Sequence, residues 1–495
     1  MPEKIPIEAI AKELNAESTF GVETFVKDVT HDSRQVTEGT LFVAIKGLTT
    51  DGHNFIDDVV RRGAAGVISE QDCPAEFTGN WLKVGNARVA LAKAASVING
   101  NPSGKLNLIG ITGTNGKTTT TYLINSLVES AGEKSAMLTT VEYRIGENSV
   151  PAVRTTPEAS DTQRFLREAS EAGCSTAVME ASSQAIHLHR CDFLHFKIGV
   201  FTNLTRDHLD YHQTMENYYD AKKELFDGRL GTVPSAAVIN VDDEWGQRLA
   251  RELRNTGTRV VTFSLEAEAD FYAQNINVSL LEGTSFTLRA ENVSEKIISP
   301  LVGKPHVYNM LSAIVVGKEL GFDMPSIKEG LATCVGAPGR FERVQTNKNF
   351  AVVVDYAHSD DALLNTLRTA RGLTNGRIIT VFGCGGDRDK SKRQPMGEVA
   401  GAGSDLAIIT SDNPRTEDPL RIIEEIEEGI RKTSCPYLIN SDRRIAIQLA
   451  ISKARKNDVV VIAGKGHETY QIIGSEKFHF DDREIAREAI DALDS

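Results

Sequence analysis

The chain has 495 residues of ordinary globular composition, with 40% hydrophobic residues, 25% charged residues and a formal net charge of -13. This acidic balance argues against a nucleic-acid-binding protein, because a nucleic-acid backbone requires a basic surface. The six scattered cysteines form no C-x-x-C pair, which argues against a disulfide framework or a structural zinc site.

The first hundred residues mix short strands and helices. Residues 41–47 (LFVAIKG) and 65–69 (AGVIS) are predicted strands, and residues 55–64 (FIDDVVRRGA) between them form a predicted helix. Residues 101–104 (NPSG) are rich in turn-forming residue types, and we interpret them as a linker. The first predicted domain is therefore a small α/β domain of residues 1–104.

A second predicted domain, residues 105–337, begins with an apolar strand at 106–112, a glycine-rich turn and a helix at 121–132. Further continuous apolar strands alternate with helical stretches, which is typical of a mostly parallel sheet covered on both faces. Residues 270–300 resemble a hairpin, and a helix is predicted at 306–321. The further strands are residues 175–181, 197–204, 236–242 and 259–264.

The third predicted domain, residues 338–495, has the pattern of a doubly wound, Rossmann-like α/β fold. Ligands of such folds bind beyond the carboxyl ends of the strands. The predicted fold class is thus α/β with three domains, the central one of the P-loop type. The strands of the third domain are predicted at residues 350–358, 377–383, 405–412 and 458–464, and its helices at 361–373, 419–432 and 442–454.

A glycine-rich segment between the first strand of the second domain and its helix has the context of a phosphate-binding loop. Small residues let backbone N–H groups approach a phosphate, and the helix N-terminus favours negative charge. Lys117 can reach the β- and γ-phosphates, and Thr118 can bind Mg²⁺. Ile111 stands where the Walker pattern requires glycine, so an ordinary glycine-rich turn is the alternative. The predicted loop residues are Gly113, Thr114, Asn115, Gly116, Lys117, Thr118 and Thr119.

The segment ITGTNGKTT resembles the ATP loop of the Mur ligase superfamily, which also includes folylpolyglutamate synthetases. The short loop is usual in that family. The resemblance implies ATP as a substrate, and it extends to contacts with the nucleotide from Asn203, Arg340, Asp355 and His358. The segment DYAH at residues 355–358 carries the later part of this match.

One glutamate and one histidine follow apolar strands of the second domain. Glu180 ends the strand at 175–181, and His208 lies in a polar run after the strand at 197–204. Alone, each would be read as structural, but the phosphate loop gives an independent reason for Mg²⁺ nearby. The resemblance implies two Mg²⁺ ions held by Thr118, Glu180, His208 and Lys222, the last as a carbamate formed with CO2. From its sequence context alone, Lys222 would be a solvated helix residue.

The resemblance also implies a binding site for a UDP-linked muramoyl dipeptide. Thr155 and Thr156 follow Arg154, where the family usually has asparagine, and a family glutamine contact falls on Leu188. We read His187, His189 and His195 as part of this substrate segment rather than as a transition-metal site. In the first domain, the segment Asp32-Ser33-Arg34 resembles the UDP-binding region. The implied contacts are Ser33, Thr155, Thr156, Ser182 and Arg190.

Three charged loops leave strand ends in the third domain and could converge on one pocket, although any one alone would more often be a surface turn. The segment DNPR at 412–415 is characteristic of the family members that add meso-diaminopimelate. An arginine can hold the second carboxylate of this amino acid bidentately, and a glutamate can pair with its ammonium. The implied contacts are Arg388, Asp412, Asn413, Pro414, Arg415, Gly464 and Glu468.

We therefore expect a ligase that adds meso-diaminopimelate to a UDP-muramoyl dipeptide through an acyl phosphate, with catalytic residues Lys117, Glu180, His208 and Lys222. Alternatives are the same ligase adding L-lysine, a folylpolyglutamate synthetase-like ligase, and a degenerate homologue that only binds nucleotide. The N-terminus lacks a signal-peptide core and no apolar run reaches the roughly 20 residues of a membrane helix. We accordingly expect a cytoplasmic monomer with small-molecule partners and neither nucleic-acid nor membrane partners.

Overall fold

A computed structural model describes residues 4–21, 23–47, 50–280, 282–291 and 293–494. Contacts between residues divide the chain into two compact units. Unit 1 contains Met1–Tyr272, Arg289–Val293 and Tyr308–Gly330, and unit 2 contains Ala273–Leu288, Ser294–Val307 and Leu331–Ser495. The boundaries of the three predicted domains stay a prediction.

The N-terminal part of unit 1 is built on a five-stranded sheet in the order β2-β7-β6-β5-β4. Its strands are parallel except at β2, which pairs antiparallel with β7. The strands are β1 (Ile5–Pro6), β2 (Glu17–Thr19), β3 (Phe25–Val26), β4 (Asp28–Thr30), β5 (Thr40–Val43), β6 (Gly66–Ser69) and β7 (Trp81–Lys83), and the helices are α1 (Ile7–Leu14), α2 (Ile56–Arg61) and α3 (Ala87–Ile98).

The central sheet has eleven strands in the order β11-β10-β9-β12-β8-β13-β14-β15-β16-β17-β18. Its strands are β8 (Asn107–Thr112), β9 (Ser135–Leu138), β10 (Glu142–Ile145), β11 (Asn148–Pro151), β12 (Thr176–Glu180), β13 (Phe196–Phe201), β14 (Ala236–Asn240), β15 (Val260–Ser264), β16 (Phe271–Ser279), β17 (Gly283–Ala290) and β18 (Val293–Ser299). The helices are α4 (Lys117–Ser130), α5 (Ala159–Glu171), α6 (Ser183–His187), α7 (Leu209–His212), α8 (Met215–Lys223), α9 (Glu244–Asn255), α10 (Lys304–Glu319) and α11 (Met324–Thr333).

The C-terminal part of unit 2 is a six-stranded sheet in the order β19-β20-β24-β21-β22-β23, parallel except at the edge strand β19. Helices pack on both faces and form two separate apolar cores. The strands are β19 (Glu342–Val344), β20 (Ala351–Asp355), β21 (Ile378–Phe382), β22 (Leu406–Ile409), β23 (Tyr437–Ile439), β24 (Val459–Ala463), β25 (Tyr470–Ile473) and β26 (Glu476–His479), and the helices are α12 (Asp360–Arg371), α13 (Arg393–Gly403), α14 (Pro419–Ile430), α15 (Arg443–Lys453) and α16 (Asp482–Asp491).

The predicted α/β fold class is confirmed, and one local prediction needs correction. Helix α4 begins at Lys117 rather than at residue 121, and its threonine-rich first turn includes a hydrogen bond from the Thr121 hydroxyl to the Lys117 carbonyl. The predicted linker at 101–104 is an ordered 3₁₀ turn in which Ser103 is fully buried and its hydroxyl accepts from the His195 N–H at 3.1 Å. Within the described part of the chain, no helix has the length and apolar content needed to cross a bilayer.

A buried histidine predicts acid sensitivity. Burial lowers the pKa of His306 from its ordinary 6.5 to about 4. Between these values the unfolded chain binds a proton that the folded chain does not, so stability is lost as the pH falls from about 6.5 to 4, by up to about 3 kcal/mol. Urea unfolding followed by circular dichroism should show this loss.

We expect the His306→Phe variant to have a shallower acid slope, while the exposed His195→Phe control keeps the native slope. His212 and His467 also have pKa values lowered to about 4 by burial, so the variant should remove only a share of the slope. Equal slopes for the two variants would contradict the assignment.

Candidate active site

The predicted phosphate loop connects the central strand β8 to helix α4 and is fixed by the segment after β13. The Thr114 N–H donates to the Asn203 carbonyl at 2.9 Å, and the Asn115 N–H donates to the Asn203 side chain at 2.9 Å. The Thr202 hydroxyl donates to the Asn115 carbonyl at 2.6 Å. The structure therefore brings the predicted contact Asn203 directly onto the loop.

Lys117, the first residue of α4, folds its side chain over the loop. Its ammonium donates to the carbonyls of Gly113 and Thr114 at 2.8 and 2.9 Å. Thr118 and Thr119 are buried in the first turn of the helix. The loop thus presents a helix N-terminus and a lysine to the same space, which is the arrangement that binds a phosphate.

Gly113 makes the loop possible, and its replacement should weaken ATP binding. Its φ of 148° is rarely adopted by L side chains, and an added Cβ would lie 1.9 Å from the Thr202 hydroxyl. Because backbone strain of this kind costs about 1–3 kcal/mol, we expect Gly113→Ala to weaken ATP binding by about 5–100-fold. Isothermal titration calorimetry with a non-hydrolysable ATP analogue measures this change.

The control is Gly104→Ala, because an added Cβ at Gly104 has no atom within 4 Å. Native affinity in both variants would contradict the loop's role.

Glu180 lies at the carboxyl end of β12, opposite Ile111 on the neighbouring strand β8. Its buried carboxylate accepts from the Thr140 N–H at 2.8 Å and from the Thr140 hydroxyl at 3.2 Å. These bonds hold one oxygen-rich group at the sheet edge that carries the phosphate loop.

Lys222 is fully buried in α8, contrary to the solvated position that its sequence context suggests. Its amine donates to the Gly113 carbonyl at 3.0 Å and lies 4.4 Å from the centre of the Tyr218 ring. Burial, followed by the nearby Lys117 charge, lowers the pKa of Lys222 well below its ordinary value. The Tyr218 hydroxyl in turn contacts the Thr114 hydroxyl at 3.2 Å, so α8 is anchored to the loop.

The predicted metal ligands are only partly assembled. His208 is exposed, with its ring 6.1 Å from that of Tyr218, and its φ of 52° places it in the left-handed region. Within the described ranges, no group of three or more His, Cys, Asp or Glu side chains has the geometry to hold a metal ion. A Mg²⁺ site here would also draw on the Thr118 hydroxyl and a carbamate on Lys222. The oxygen-rich chemistry of Glu180 and Thr118 fits Mg²⁺.

The predicted dipeptide contacts cluster around Thr156. Its hydroxyl donates to the Glu180 carbonyl at 2.7 Å and lies 3.2 Å from the Ser182 hydroxyl. The Arg190 guanidinium donates to the Thr156 carbonyl at 3.3 Å. Thr155 is also close, since the Thr140 hydroxyl donates to the Thr155 hydroxyl at 3.2 Å. This cluster adjoins the buried Glu180.

A buried glutamate that sequence reasoning missed, Glu158, organises the arginines beside this cluster. It accepts from Arg190 at 2.8 Å and from Arg154 at 2.9 Å, and Arg88 of α3 lies 3.9 Å away. Three guanidinium groups around one carboxylate leave an excess of positive charge. Arg154 therefore contributes to a cationic surface beside Thr156.

Ser33 lies in a 3₁₀ turn after β4, in the N-terminal part of unit 1. Its carbonyl accepts from the Arg62 guanidinium at 3.5 Å, and the neighbouring Asp32 carboxylate accepts from the Arg34 N–H at 3.0 Å. The structure thus places Ser33 in an ordered turn, and its contact with a uridine nucleotide stays a prediction.

The predicted nucleotide contacts of unit 2 surround Tyr356. The Arg340 guanidinium lies 4.8 Å from the centre of the Tyr356 ring, and the His358 ring lies 4.7 Å from it. The Asp355 carboxylate accepts from the Phe341 N–H at 2.7 Å. Burial raises the pKa of Asp355, while Arg340 and the hydrogen bonds that this carboxylate accepts oppose the shift.

The loops after β22 and β24 meet in unit 2. The Asn413 side-chain amide donates to the Glu468 carboxylate at 2.9 Å. Asn413 also accepts from the fully buried Lys465 at 3.0 Å, and Lys465 donates to Glu468 at 3.3 Å. Gly464 has a φ of 117°, and an added Cβ would lie 2.7 Å from the Asp412 carboxylate. The predicted convergence of these two loops is therefore present.

The loop after β21 packs against the same segment. The Gly386 N–H donates to the Asn413 carbonyl at 2.9 Å, and an added Cβ at Gly386 would lie 1.9 Å from the Pro414 carbonyl oxygen. The Arg415 guanidinium donates to the Gly386 carbonyl at 2.8 Å. Arg388 on this loop is exposed. All three predicted charged loops thus share one edge of the sheet.

Asn309 of α10 is a second residue that sequence reasoning missed. It is buried, and an added Cβ at Gly116 would lie 2.5 Å from its side-chain oxygen. Its position in a continuous helical pattern gave no signal of proximity to the phosphate loop.

Known families match most of the chain. The model described as "Mur ligase family, catalytic domain" matches residues 26–99, "Mur ligase middle domain" matches residues 111–317, and "Mur ligase, glutamate ligase domain" matches residues 339–466.

Several curated relatives match nearly the whole chain. The UDP-N-acetylmuramoyl-L-alanyl-D-glutamate–2,6-diaminopimelate ligase of Solibacter usitatus is 46% identical over 468 residues, covering 94% of each chain. The ligase of the same name from Geobacter metallireducens is 46% identical over 483 residues, again covering 94% of each chain.

Solved structures agree with these matches. A structure of a ligase of the same name has 34% identity and a TM-score of 0.70, covering 95% of this chain and 96% of that one. The folylpolyglutamate synthase of Mycobacterium tuberculosis has 19% identity and a TM-score of 0.61, covering 76% of this chain and 92% of that one, which indicates a shared fold alone.

Proposed function

This chain belongs to the Mur ligase family and is an ATP-dependent, amide-bond-forming ligase, and we propose that it adds meso-2,6-diaminopimelate to UDP-N-acetylmuramoyl-L-alanyl-D-glutamate in peptidoglycan precursor synthesis. The observation that carries the choice of amino acid is the contact of Asn413 with Glu468 beside Arg415. A carboxylate and a guanidinium thus lie in one arrangement that suits the ammonium and carboxylate groups of a diamino dicarboxylic acid.

The proposed reaction has two steps. The terminal D-glutamate carboxylate attacks the γ-phosphorus of ATP, the bond to the bridging oxygen breaks, and ADP leaves with the electron pair. The diaminopimelate amine then attacks the acyl carbon, phosphate leaves with its electron pair, and the nitrogen loses a proton. Such catalysis consists mostly of positioning and charge neutralisation.

The phosphate loop and helix α4 bind the ATP phosphates in this proposal, and the Lys117 ammonium exchanges its loop carbonyls for phosphate oxygens. Asn203 keeps the loop in shape. Two bound Mg²⁺ ions, held by Thr118, Glu180, His208 and a carbamate on Lys222, would supply further charge neutralisation. Arg340, Asp355 and His358 are further proposed nucleotide contacts.

The muramoyl dipeptide binds along unit 1, with Ser33 at the uridine nucleotide and Thr155, Thr156, Ser182 and Arg190 at the dipeptide. The excess of guanidinium groups around Glu158 supports an anionic ligand here. Arg154 supplies positive charge beside the proposed dipeptide contacts. In the remaining part of the proposal, diaminopimelate contacts Arg388, Asp412, Asn413, Pro414, Arg415, Gly464 and Glu468.

The test is phosphate release with ATP, Mg²⁺ and the UDP-muramoyl dipeptide, comparing meso-diaminopimelate with L-lysine and checking the product mass. We expect release and a tripeptide mass only with diaminopimelate. Turnover with lysine instead would overturn the assigned amino acid, and turnover with neither would overturn the proposed reaction. We also propose that the protein is a monomer, which sedimentation velocity would test, and that it is cytoplasmic, which cell fractionation would test.

Lys222→Met should lower kcat by about 10²-fold or more, because it removes the proposed carbamate that would hold a charge-neutralising Mg²⁺ ion. The side chain has a similar length, and the buried site that contacts Gly113 stays filled. The control is Lys223→Met, whose native side chain pairs with Glu252 at 2.8 Å.

A readout independent of activity is the ¹³C resonance of a carbamate after labelling with ¹³C-bicarbonate. We expect it in the native protein and in the control but not in Lys222→Met. The same resonance in all three proteins would refute the modification at Lys222.

A further inference from the structure

The C-terminal part of unit 2 contains a fully buried ion pair that the proposed reaction does not use. Arg443 is the first residue of α15 and Asp482 the first residue of α16, and both side chains are completely buried. The Arg443 Nε and Nη2 atoms donate to the two Asp482 carboxylate oxygens at 2.8 and 2.6 Å. A buried pair of this kind is weak evidence for stability, because desolvation opposes the attraction.

The same guanidinium also contacts the ends of two strands. It donates to the Ala463 carbonyl at 3.0 Å and to the Ser411 carbonyl at 3.5 Å. These carbonyls immediately precede Gly464 and Asp412, which begin the loops with the proposed diaminopimelate contacts. In the sheet, β24 and β22 lie on either side of β21, so the guanidinium spans the middle strand.

The two loops are in contact with each other beyond this point. Asn413 donates to Glu468 at 2.9 Å, and Gly464 leaves no room for a side chain against Asp412. A change in the separation of the strand ends is therefore transmitted directly to the amino-acid contacts.

We propose that Arg443 and Asp482 are positioning residues of the amino-acid site, and that they fix the distance between the loop of residues 412–415 and the loop of residues 464–468. The inference rests on the proposed function, since it assigns these loops to diaminopimelate. Arg443 is fully buried and does not touch the substrate, so it acts through the Ser411 and Ala463 carbonyls. A planar guanidinium has five donors and can serve a carboxylate and two carbonyls together, which a lysine ammonium cannot do in the same geometry.

The test compares apolar replacement of this pair with replacement of a neighbouring exposed pair on the same two helices. Arg443→Met/Asp482→Leu removes both buried charges together, so neither is left unpaired. The control is Arg444→Met/Glu488→Leu, whose native side chains are 47% and 58% exposed. A third variant, Arg443→Lys, keeps the charge but not the fork of donors. Thermal melts and KM values for all three substrates are measured for each.

We expect Arg443→Met/Asp482→Leu to raise KM for diaminopimelate by about tenfold or more, since displacement by 1 Å can cost about 10²-fold. KM for ATP and for the dipeptide should stay native, the control should be native throughout, and Arg443→Lys should be intermediate. A native KM for diaminopimelate in Arg443→Met/Asp482→Leu, or an equal rise in KM for all three substrates, would overturn the positioning role. Either result would leave the proposed function intact, provided that the native enzyme uses diaminopimelate. Failure of the native enzyme to use diaminopimelate would instead overturn the proposed function.

Discussion

Replacement of Lys117 by methionine is expected to lower kcat for ligation by about 10²–10³-fold, the loss typical when one donor to developing charge is removed. The side chain sits at the start of α4, where its ammonium donates to the Gly113 and Thr114 carbonyls of the loop that phosphates would approach. Methionine fills a similar volume, so the loop's bonds to Asn203 should persist. Phosphate release with all substrates saturating measures the change.

The matched control for this prediction is Lys105→Met, an exposed lysine that precedes the same strand. Its kcat should be native. A Lys117→Met variant with native kcat would refute the role of the ammonium in phosphoryl transfer, whereas loss of activity in both variants would point to general damage.

Replacement of Arg415 by methionine is expected to raise KM for diaminopimelate by about 30-fold or more, because truncating one member of a hydrogen-bonded charge pair costs about 2–5 kcal/mol. The φ of Arg415 is 51°, in the left-handed region. The loop is held there by the Arg415 N–H to the Ile472 carbonyl at 3.1 Å and the Gly474 N–H to the Arg415 carbonyl at 2.7 Å. These bonds involve the main chain and survive the substitution.

The same variant should also lose discrimination against L-lysine, which lacks the second carboxylate. The competition assay compares kcat/KM for the two amino acids, with the exposed Arg421→Met on α14 as the control. Undiminished preference for diaminopimelate in Arg415→Met would show that another group reads the second carboxylate.

The parts of the candidate site that lie at the carboxyl ends of continuous apolar strands were predictable from the sequence. Each such strand fixes where its carboxyl end lies, so the phosphate loop, Glu180 and the loop at 412–415 could be placed at sheet edges in advance. The family resemblance then supplied roles that no pattern of residues could show, above all the modification of Lys222. Those roles remain predictions, while the fold class and the family are confirmed.

Features that depend on contacts between distant residues were not predictable. The burial of Lys222 follows from its approach to Gly113, 109 residues away in the chain. The cluster around Glu158 gave no signal because Arg88 and Arg190 lie far from Glu158 in the chain. The hairpin of β10 and β11 was missed because its exposed edge strand β11 lacks a buried face.

The bonds between the Lys117 ammonium and its own loop also shape how nucleotide enters. The cation has two carbonyl acceptors within the loop, so an incoming phosphate would compete with these carbonyls for its donors. The contribution of Lys117 to nucleotide affinity is therefore only the difference between its interaction energy with phosphate oxygens and that with the loop carbonyls. This difference grows with the charge of the incoming phosphate group. We therefore expect the loop to bind ATP more tightly than ADP.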